Sequence, residues 1–311
     1  MRKATLPNGK QIFASREFEA YAVLGQIPAY FRHGICVKEG DVVFDVGANI
    51  GLFTLTVCDW GARPVTVFAF EPLPREFKAL RANVEKYGLS GVVPLPYAVS
   101  QERGELSLTY YPRMTVFSTI YPRDVHSPSI EEGFWQMRDR FPTWVRWIMR
   151  RLPERHQRLF FRFVVREMLR GKQLKCRCVS ISDVMREYDI KRIDLLKIDV
   201  ELAELDVLRG IAFEDWKRIE QVTLEVHDVD GRLDTVMQML RERGLDSVVC
   251  EQDQREFNTF NVYAVRQSQS TSSDEPASGL PGRSMGPVAP EKSVRPSGTG
   301  VFLSWQRMSP G

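Results

Sequence analysis

Short apolar runs alternate along most of this chain with stretches in which apolar residues recur at helical spacing. Buried strands are predicted at 41–46, 65–70, 92–95, 193–200 and 221–226, and final strands near 246–251 and 260–265. Helices are predicted at 16–33, 52–60, 75–87, 203–209 and 233–243. Residues 105–111 and 114–120 read as a β pair. Strand–helix alternation of this kind predicts an α/β fold, a doubly wound and mostly parallel sheet of the Rossmann-like type.

One block, about 128–175, interrupts the alternation and predicts a helical insertion on the sheet. Its arginines fall three to five residues apart and are interleaved with aromatic and aliphatic residues, as in amphipathic helices with one basic face. Four interpretations fit this pattern: a solvated helical cap, a lid over an acceptor pocket, a docking face for an acidic carrier protein, or a membrane-surface face. A net charge of +3 argues against nucleic acid as a partner.

Composition divides the chain into three parts. Residues 1–40 read as a helical lead-in, residues 41–266 as the main α/β domain, and residues 267–311, rich in Ser, Pro and Gly, as a disordered tail or linker. The chain is 43% hydrophobic and 27% charged, which is ordinary for a soluble protein. Five cysteines, an odd number, and an N-terminus without an apolar core predict a cytoplasmic protein. We expect no transmembrane segment.

The first predicted strand ends in an acid and a glycine-rich turn, with the spacing D-x-G-x-N-x-G. A buried strand that passes through such a turn into a helix is typical of a nucleoside-cofactor site. An acid that ends the second strand, Glu71, lies 20 residues beyond Gly51 and can bind both ribose hydroxyls. Asn49 and Ile50 interrupt the fingerprint of dinucleotide proteins, so the turn favours S-adenosylmethionine (SAM) over NAD. The predicted cofactor-binding residues are Asp45, Gly47, Ala48, Asn49, Gly51, Glu71, Pro72, Ala98 and Val99.

Charged residues share one face at the ends of two later strands. Lys197, Asp199 and Glu201 alternate along the first strand, and Glu225 and His227 along the second. Charges on central parallel strands are best explained by the ligand crevice at the strand ends.

Five residues are therefore predicted to be catalytic: His227, Asp199, Lys197, Glu225 and Glu201. His227 is the first choice of general base because its side chain titrates near neutral pH, and Asp199 is the second. Lys197 can hold Asp199 ionised or orient the acceptor. A structural ion pair at Lys197, or a His227 bonded to a loop, fits the same pattern. These residues also allow a site for Mg²⁺, with Asp199, Glu225, His227 and Asp228 as ligands, but their spacing is not tight enough to assign a metal.

Four segments in order resemble the FkbM family of SAM-dependent methyltransferases: VVFDVGANIGLFTL, VFAFEPLP, IDLLKIDVELAELDVLRGI and EVHDVDGRL. The resemblance covers roughly residues 6–266. It implies a class I methyltransferase fold for residues 41–266 and O-methylation, often of a natural-product hydroxyl. Lys197, Asp199, Glu201 and Glu204 match the family's K-I-D-x-E-x-x-E segment. Many members have Gly where this chain has Leu202, and we expect leucine there to exclude a backbone of positive φ.

The resulting hypothesis is an O-methyltransferase that acts on a small or carrier-bound secondary metabolite. Two alternatives remain: methylation of a sugar or lipid head group, and a non-catalytic SAM-binding module.

Overall fold

The computed structural model describes residues 2–121, 128–141 and 143–267. Its strands are β1 (Arg2–Thr5), β2 (Gln11–Ala14), β3 (Val42–Val46), β4 (Thr66–Phe70), β5 (Val92–Leu95), β6 (Ala98–Val99), β7 (Gly104–Tyr110), β8 (Lys172–Val179), β9 (Leu195–Ile198), β10 (Gln221–His227), β11 (Ser247–Gln254) and β12 (Thr259–Val265). Its helices are α1 (Glu17–Gln26), α2 (Leu52–Val57), α3 (Pro74–Lys86), α4 (Pro128–Gln136), α5 (Thr143–Met149), α6 (Glu154–Met168), α7 (Ile181–Glu187), α8 (Glu204–Arg209) and α9 (Arg232–Glu242).

The central sheet has seven strands in the order β11-β12-β10-β9-β3-β4-β5. Strands β10, β9, β3, β4 and β5 run parallel, whereas β12 is antiparallel to β10 and β11. The predicted doubly wound, mostly parallel sheet is confirmed. The strand order reverses between β3 and β9, and in such sheets the ligand crevice opens at the carboxyl ends of the strands on either side of this point.

Side chains on both faces of the parallel strands are buried. Phe44 and Val46 of β3 pack in one hydrophobic core, whereas Val43 packs in a second core that also contains α2 and α3 residues. A strand covered on both faces is apolar on both, which explains the continuous apolar runs in the sequence. The charged residues at the strand ends are therefore exceptions that need their own explanation.

The predicted β pair of 105–111 with 114–120 is wrong. Strand β7 pairs antiparallel with β8, which is more than 60 positions away, and Thr115–Phe117 forms a 3₁₀ turn. A single bridge, Thr109 to Thr119, joins the two predicted partners. Pairing of β7 with β8 is favoured over pairing with 114–120 because the two strands share an apolar cluster. It contains Leu174, Cys176 and Cys178 of β8 and Leu106 and Leu108 of β7. Residues 172–175, the end of the predicted helical insertion, belong to strand β8.

The lead-in contains a β-hairpin that the sequence reading did not predict. Strands β1 and β2 pair antiparallel, and α1 with a 3₁₀ turn at Ile27–Tyr30 follows within the predicted helical stretch. The predicted tail lies outside the described residues, apart from residue 267.

The insertion forms a small helical layer with its own core. Phe134, Phe141, Val145, Phe161 and Val165 pack together between α4, α5 and α6. Through the described ranges, every helix is too short or too polar to cross a bilayer.

Candidate active site

A cavity of about 520 Å³ opens at the carboxyl ends of β3, β4, β9 and β10. Twelve predicted site residues line it: Gly47, Ala48, Asn49, Glu71, Pro72, Ala98, Val99, Lys197, Asp199, Glu201, Glu225 and His227. Asp45 and Gly51 are not among the lining residues. The structure thus brings the predicted cofactor and acceptor groups to one cavity, with two residues of the cofactor motif behind its wall.

The two glycines of the turn are required by neighbouring protein atoms. Gly47 has φ +80°, and a Cβ there would lie 1.8 Å from the carbonyl oxygen of Asp199. Gly51 has φ +87°, and its Cβ would lie 2.6 Å from Leu80 Cδ1 of α3. A side chain at Gly47 would force β3 and β9 apart, and one at Gly51 would require the buried Leu80 side chain to move. The glycine spacing therefore reports close packing of backbone as well as approach to a ligand.

Glu71 supports the turn from the next strand. Its carboxylate accepts hydrogen bonds from the backbone N–H groups of Asn49 and Leu73, each at 2.8 Å. Burial raises the pKa of Glu71 to about 8, despite these two donors. Its side chain lines the cavity and offers acceptor oxygens at the position predicted for ribose binding.

A buried ion pair joins the cofactor turn to the acceptor strand. Lys197 Nζ lies 3.1 Å from Asp45 Oδ1 and donates to the carbonyl oxygen of Gly47 at 3.1 Å. Thr54 donates to Asp45 Oδ2 at 2.7 Å, and the Asp45 side chain is fully buried. Burial alone would lower the pKa of Lys197, but Asp45 and Asp199 outweigh it and raise that pKa. Asp45, behind the cavity wall, thus holds Thr54 and the cavity-lining Lys197 in place.

Tyr30 is a site residue that the sequence reading missed. Tyr30 lies in the 3₁₀ turn before β3, and its hydroxyl donates a hydrogen bond of 2.9 Å to Asp199 Oδ2. Burial and the Asp199 carboxylate raise the pKa of Tyr30 well above its usual value, so the phenol remains a donor. In the sequence Tyr30 occupies an apolar position of a helical pattern, and nothing in that pattern predicts that its hydroxyl forms a hydrogen bond in the site.

His227 lies among three carboxyl groups. Its Nδ1 is 3.3 Å from Glu204 Oε1, and its Nε2 is 3.3 Å from Glu201 Oε2 and 3.9 Å from Glu225 Oε1. Burial, followed by the charges of Asp199 and Glu201, raises the pKa of Glu225 well above its ordinary value. Burial thus favours the protonated form of Glu225, which carries no negative charge beside the imidazole.

Glu204 is held by two groups other than His227. Its Oε1 accepts the backbone N–H of Leu202 at 2.8 Å, and Arg232 of α9 lies 3.3 Å from its Oε2. The Glu204 side chain is fully buried. The sequence reading matched Glu204 to the family segment but assigned it no role.

The loop that carries these groups has two successive residues of positive φ, Glu201 at +48° and Leu202 at +78°. The expectation that leucine excludes this conformation is wrong. Arg232 donates to the Leu202 carbonyl oxygen and Thr119 to that of Glu201, so contacts with neighbouring segments hold the loop. Leucine adopts here the conformation for which glycine is suited.

The carboxylates considered for Mg²⁺ do not all converge. Glu201, Glu225 and His227 each offer a ligand atom within 4.8 Å of the others. Asp228 instead accepts the backbone N–H of Leu233 at 3.1 Å at the start of α9. The predicted four-residue set is thus divided between the cavity and a helix terminus.

Known proteins match most of this chain. The sequence profile of the Methyltransferase FkbM domain matches residues 45–246. The 31-O-demethyl-FK506 methyltransferase FkbM of Streptomyces tacrolimicus is 39% identical over 251 residues, which cover 80% of this chain and 90% of that protein. The AMB antimetabolite synthetase AmbE of Pseudomonas aeruginosa is 33% identical over 282 residues, which cover 84% of this chain and 12% of AmbE. The methyltransferase sdnD of Sordaria araneosa is 32% identical over 213 residues, covering 66% of this chain and 73% of that protein.

Proposed function

This chain belongs to the FkbM family of SAM-dependent methyltransferases, and we propose that it methylates a hydroxyl group of an apolar natural product. The observation that carries the proposal is a histidine, His227, fixed by the buried Glu204 beside a cavity with an apolar wall. The relatives support a role in natural-product biosynthesis, since one is named a 31-O-demethyl-FK506 methyltransferase and another an antimetabolite synthetase.

The cofactor end of the cavity fits SAM. Glu71 presents carboxyl oxygens suited to the two ribose hydroxyls, and the backbone of Gly47 to Asn49 lines the adjoining wall. Ala98 and Val99 form the surface proposed for the adenine. The acidic groups Asp199 and Glu201 suit the positive charge of a sulfonium. When bound, SAM supplies an electrophilic methyl group together with its own leaving group.

His227 is the proposed general base. The Glu204 carboxylate favours a proton on Nδ1 of the imidazole, and Nε2 acts as the base once the acceptor hydroxyl displaces Glu201 Oε2, which lies 3.3 Å from Nε2. The acceptor hydroxyl proton then moves to Nε2 as its oxygen attacks the methyl carbon. General-base catalysis of this kind contributes roughly 10²–10⁴-fold in rate. The base argues for an enzyme over a non-catalytic binding module.

The acceptor end of the cavity supports an apolar substrate. Its wall combines α1, the 3₁₀ turn at Thr115–Phe117, the insertion helices and the segment before β12. Apolar side chains on it include Val23, Ile27, Phe117, Phe134, Phe141 and Phe257. A sugar would leave most of its hydroxyl groups without partners against such a wall, and unmet hydrogen bonds are costly on binding. The same surface gains free energy by covering a macrocycle or an acyl chain.

The test is methyl transfer from SAM labelled with deuterium in the methyl group. Wild-type protein is expected to transfer the label to a hydroxyl of an apolar acceptor, such as a demethylated macrolide or a 3-hydroxyacyl thioester, and not to hexoses. His227→Ala should lower kcat by roughly 10²–10⁴-fold while the Kd for S-adenosylhomocysteine changes less than about twofold. His33→Asn, at a histidine paired with Glu251 outside the cavity, is the matched control. Label on nitrogen or carbon, or full activity of His227→Ala, would contradict the proposal.

A further inference from the structure

Helices α5 and α6 carry exposed arginine and large apolar side chains, which are together called here the arginine face. It comprises Trp144, Trp147, Arg150, Arg155, Arg158, Leu159, Arg162, Phe163 and Arg166. Its four large apolar side chains, Trp144, Trp147, Leu159 and Phe163, are 55–62% exposed. Apolar side chains grouped in this way on a surface mark an interaction site more often than scattered ones do.

The charge of this segment is strongly one-sided. Residues 143–170 contain eight arginines, no lysine and two acids. Glu132 and Glu131 of α4 lie 3.3 Å and 2.9 Å from Arg158 and Arg162. Within the described part of the chain, Arg150, Arg155 and Arg166 form no ion pair with an acid. The face therefore keeps free cationic groups among exposed aromatic rings.

The arginine face borders the cavity. Trp144 belongs to the face and also lines the cavity. Met168, at the end of α6, lines the cavity as well. Arg113 lines the cavity as well and pairs with Glu167 of α6 at 3.1 Å. A body bound on this face would therefore sit beside the cavity that His227 lines.

We propose that the arginine face docks an acidic protein domain that holds the acceptor on a flexible arm. This inference rests on the proposed function. A cavity of about 520 Å³ has the volume of a small-molecule site, so a docked domain stays outside and only its arm enters. Arginine, tryptophan and phenylalanine are enriched at protein interfaces and lysine is depleted, which is the composition of this face. An acidic partner complements its charge and is steered towards this face, beside the cavity.

Binding is measured with a fluorescently labelled acidic acyl carrier protein, by anisotropy, on the full chain. We expect binding that weakens with added salt and that falls about tenfold or more in Arg155→Glu/Arg166→Glu, because each change replaces attraction with repulsion. The control Arg241→Glu/Lys217→Glu makes the same charge change at exposed positions outside the face and should bind within about twofold of wild type. Circular dichroism melting verifies that both variants are folded.

Three results would overturn the docking proposal: no binding of the carrier protein, equal loss in both double variants, or loss in neither. Sedimentation with phosphatidylserine vesicles adds a fourth. If vesicles bind through Arg155 and Arg166 and the carrier protein does not bind, the face is a membrane contact.

Turnover of a 3-hydroxyacyl group separates this inference from the proposed function. Attached to the carrier protein, the group should be methylated less efficiently by Arg155→Glu/Arg166→Glu than by wild type. As a free thioester, it should be methylated equally by both. Turnover of the free thioester without carrier binding refutes docking alone. Carrier binding without turnover of any acceptor refutes the proposed function alone.

Discussion

Replacing Leu202 by glycine and by alanine tests the conformation of the active-site loop. Leu202 has φ +78°, in the region where a Cβ atom is strained. A left-handed conformation costs an L-residue about 1–2 kcal/mol, whereas glycine loses about 0.5–1 kcal/mol more backbone entropy on folding than alanine. Both variants lose the leucine side chain equally, so that loss cancels between them. Leu202→Gly should therefore be more stable than Leu202→Ala by about 1 kcal/mol.

The comparison is made by urea unfolding, supported by melting temperatures. A difference of about 1 kcal/mol corresponds to about 2–4 °C in a domain of this size. Arg241 is the matched control, because it lies in the regular helix α9. At Arg241 the order of stabilities is reversed: Arg241→Ala should be more stable than Arg241→Gly by up to about 1 kcal/mol. Leu202→Ala as stable as Leu202→Gly would refute a left-handed residue between Glu201 and Glu204.

Three further predictions concern the groups around this loop. Glu204→Gln removes the carboxylate that orients His227; kcat should fall roughly 10²–10⁴-fold and its pH profile should shift, while an unchanged profile would contradict a positioning role. Because burial raises the pKa of Glu71 to about 8, its contribution to the stability of the unliganded protein declines as pH rises from about 4.5 to about 8. Ribose binding to the ionised carboxylate should instead strengthen over that range. Calorimetry with 5′-methylthioadenosine, which lacks the amino acid, measures this, and a pH dependence equal to wild type in Glu71→Gln would contradict it. Lys197→Met leaves Asp45 buried without its cation and should destabilise by about 3–5 kcal/mol in urea; Asp45→Asn in addition should restore part of the loss, and a loss below about 1 kcal/mol would contradict the ion pair.

The cofactor side of the site could be predicted because its signals are local. The apolar run from Val42 to Asp45, the turn from Gly47 and the acid at Glu71 lie within 30 residues. Each follows from strand pairing and backbone geometry over a few positions. The observed strand Val42–Val46 begins one residue after the predicted start and ends at the predicted residue.

The acceptor side depends on contacts between distant segments, and the sequence reading fails there. Strand β7 pairs with β8 across the whole insertion, so adjacency along the chain misled the prediction for 114–120. Tyr30 reaches Asp199 across 169 positions, although its local pattern is that of a buried helix face. Leu202 adopts a positive φ because hydrogen bonds from its backbone to Glu204 and Arg232 outweigh the preference of leucine for negative φ. Side-chain alternation describes Glu225 and His227, which lie within β10, whereas Asp199 and Glu201 follow the end of β9 and lie in the loop after it.

The place of β12 in the sheet has a consequence for any shortened form of this protein. The family match ends at residue 246, but β12, from Thr259 to Val265, lies between β10 and β11 in the sheet. A fragment limited to 45–246 would expose the edge of β10, the strand that ends in His227, and would also lack Tyr30. Exposed strand edges promote aggregation. The recognisable motif is thus shorter than the sheet, and we expect catalysis to require the longer segment.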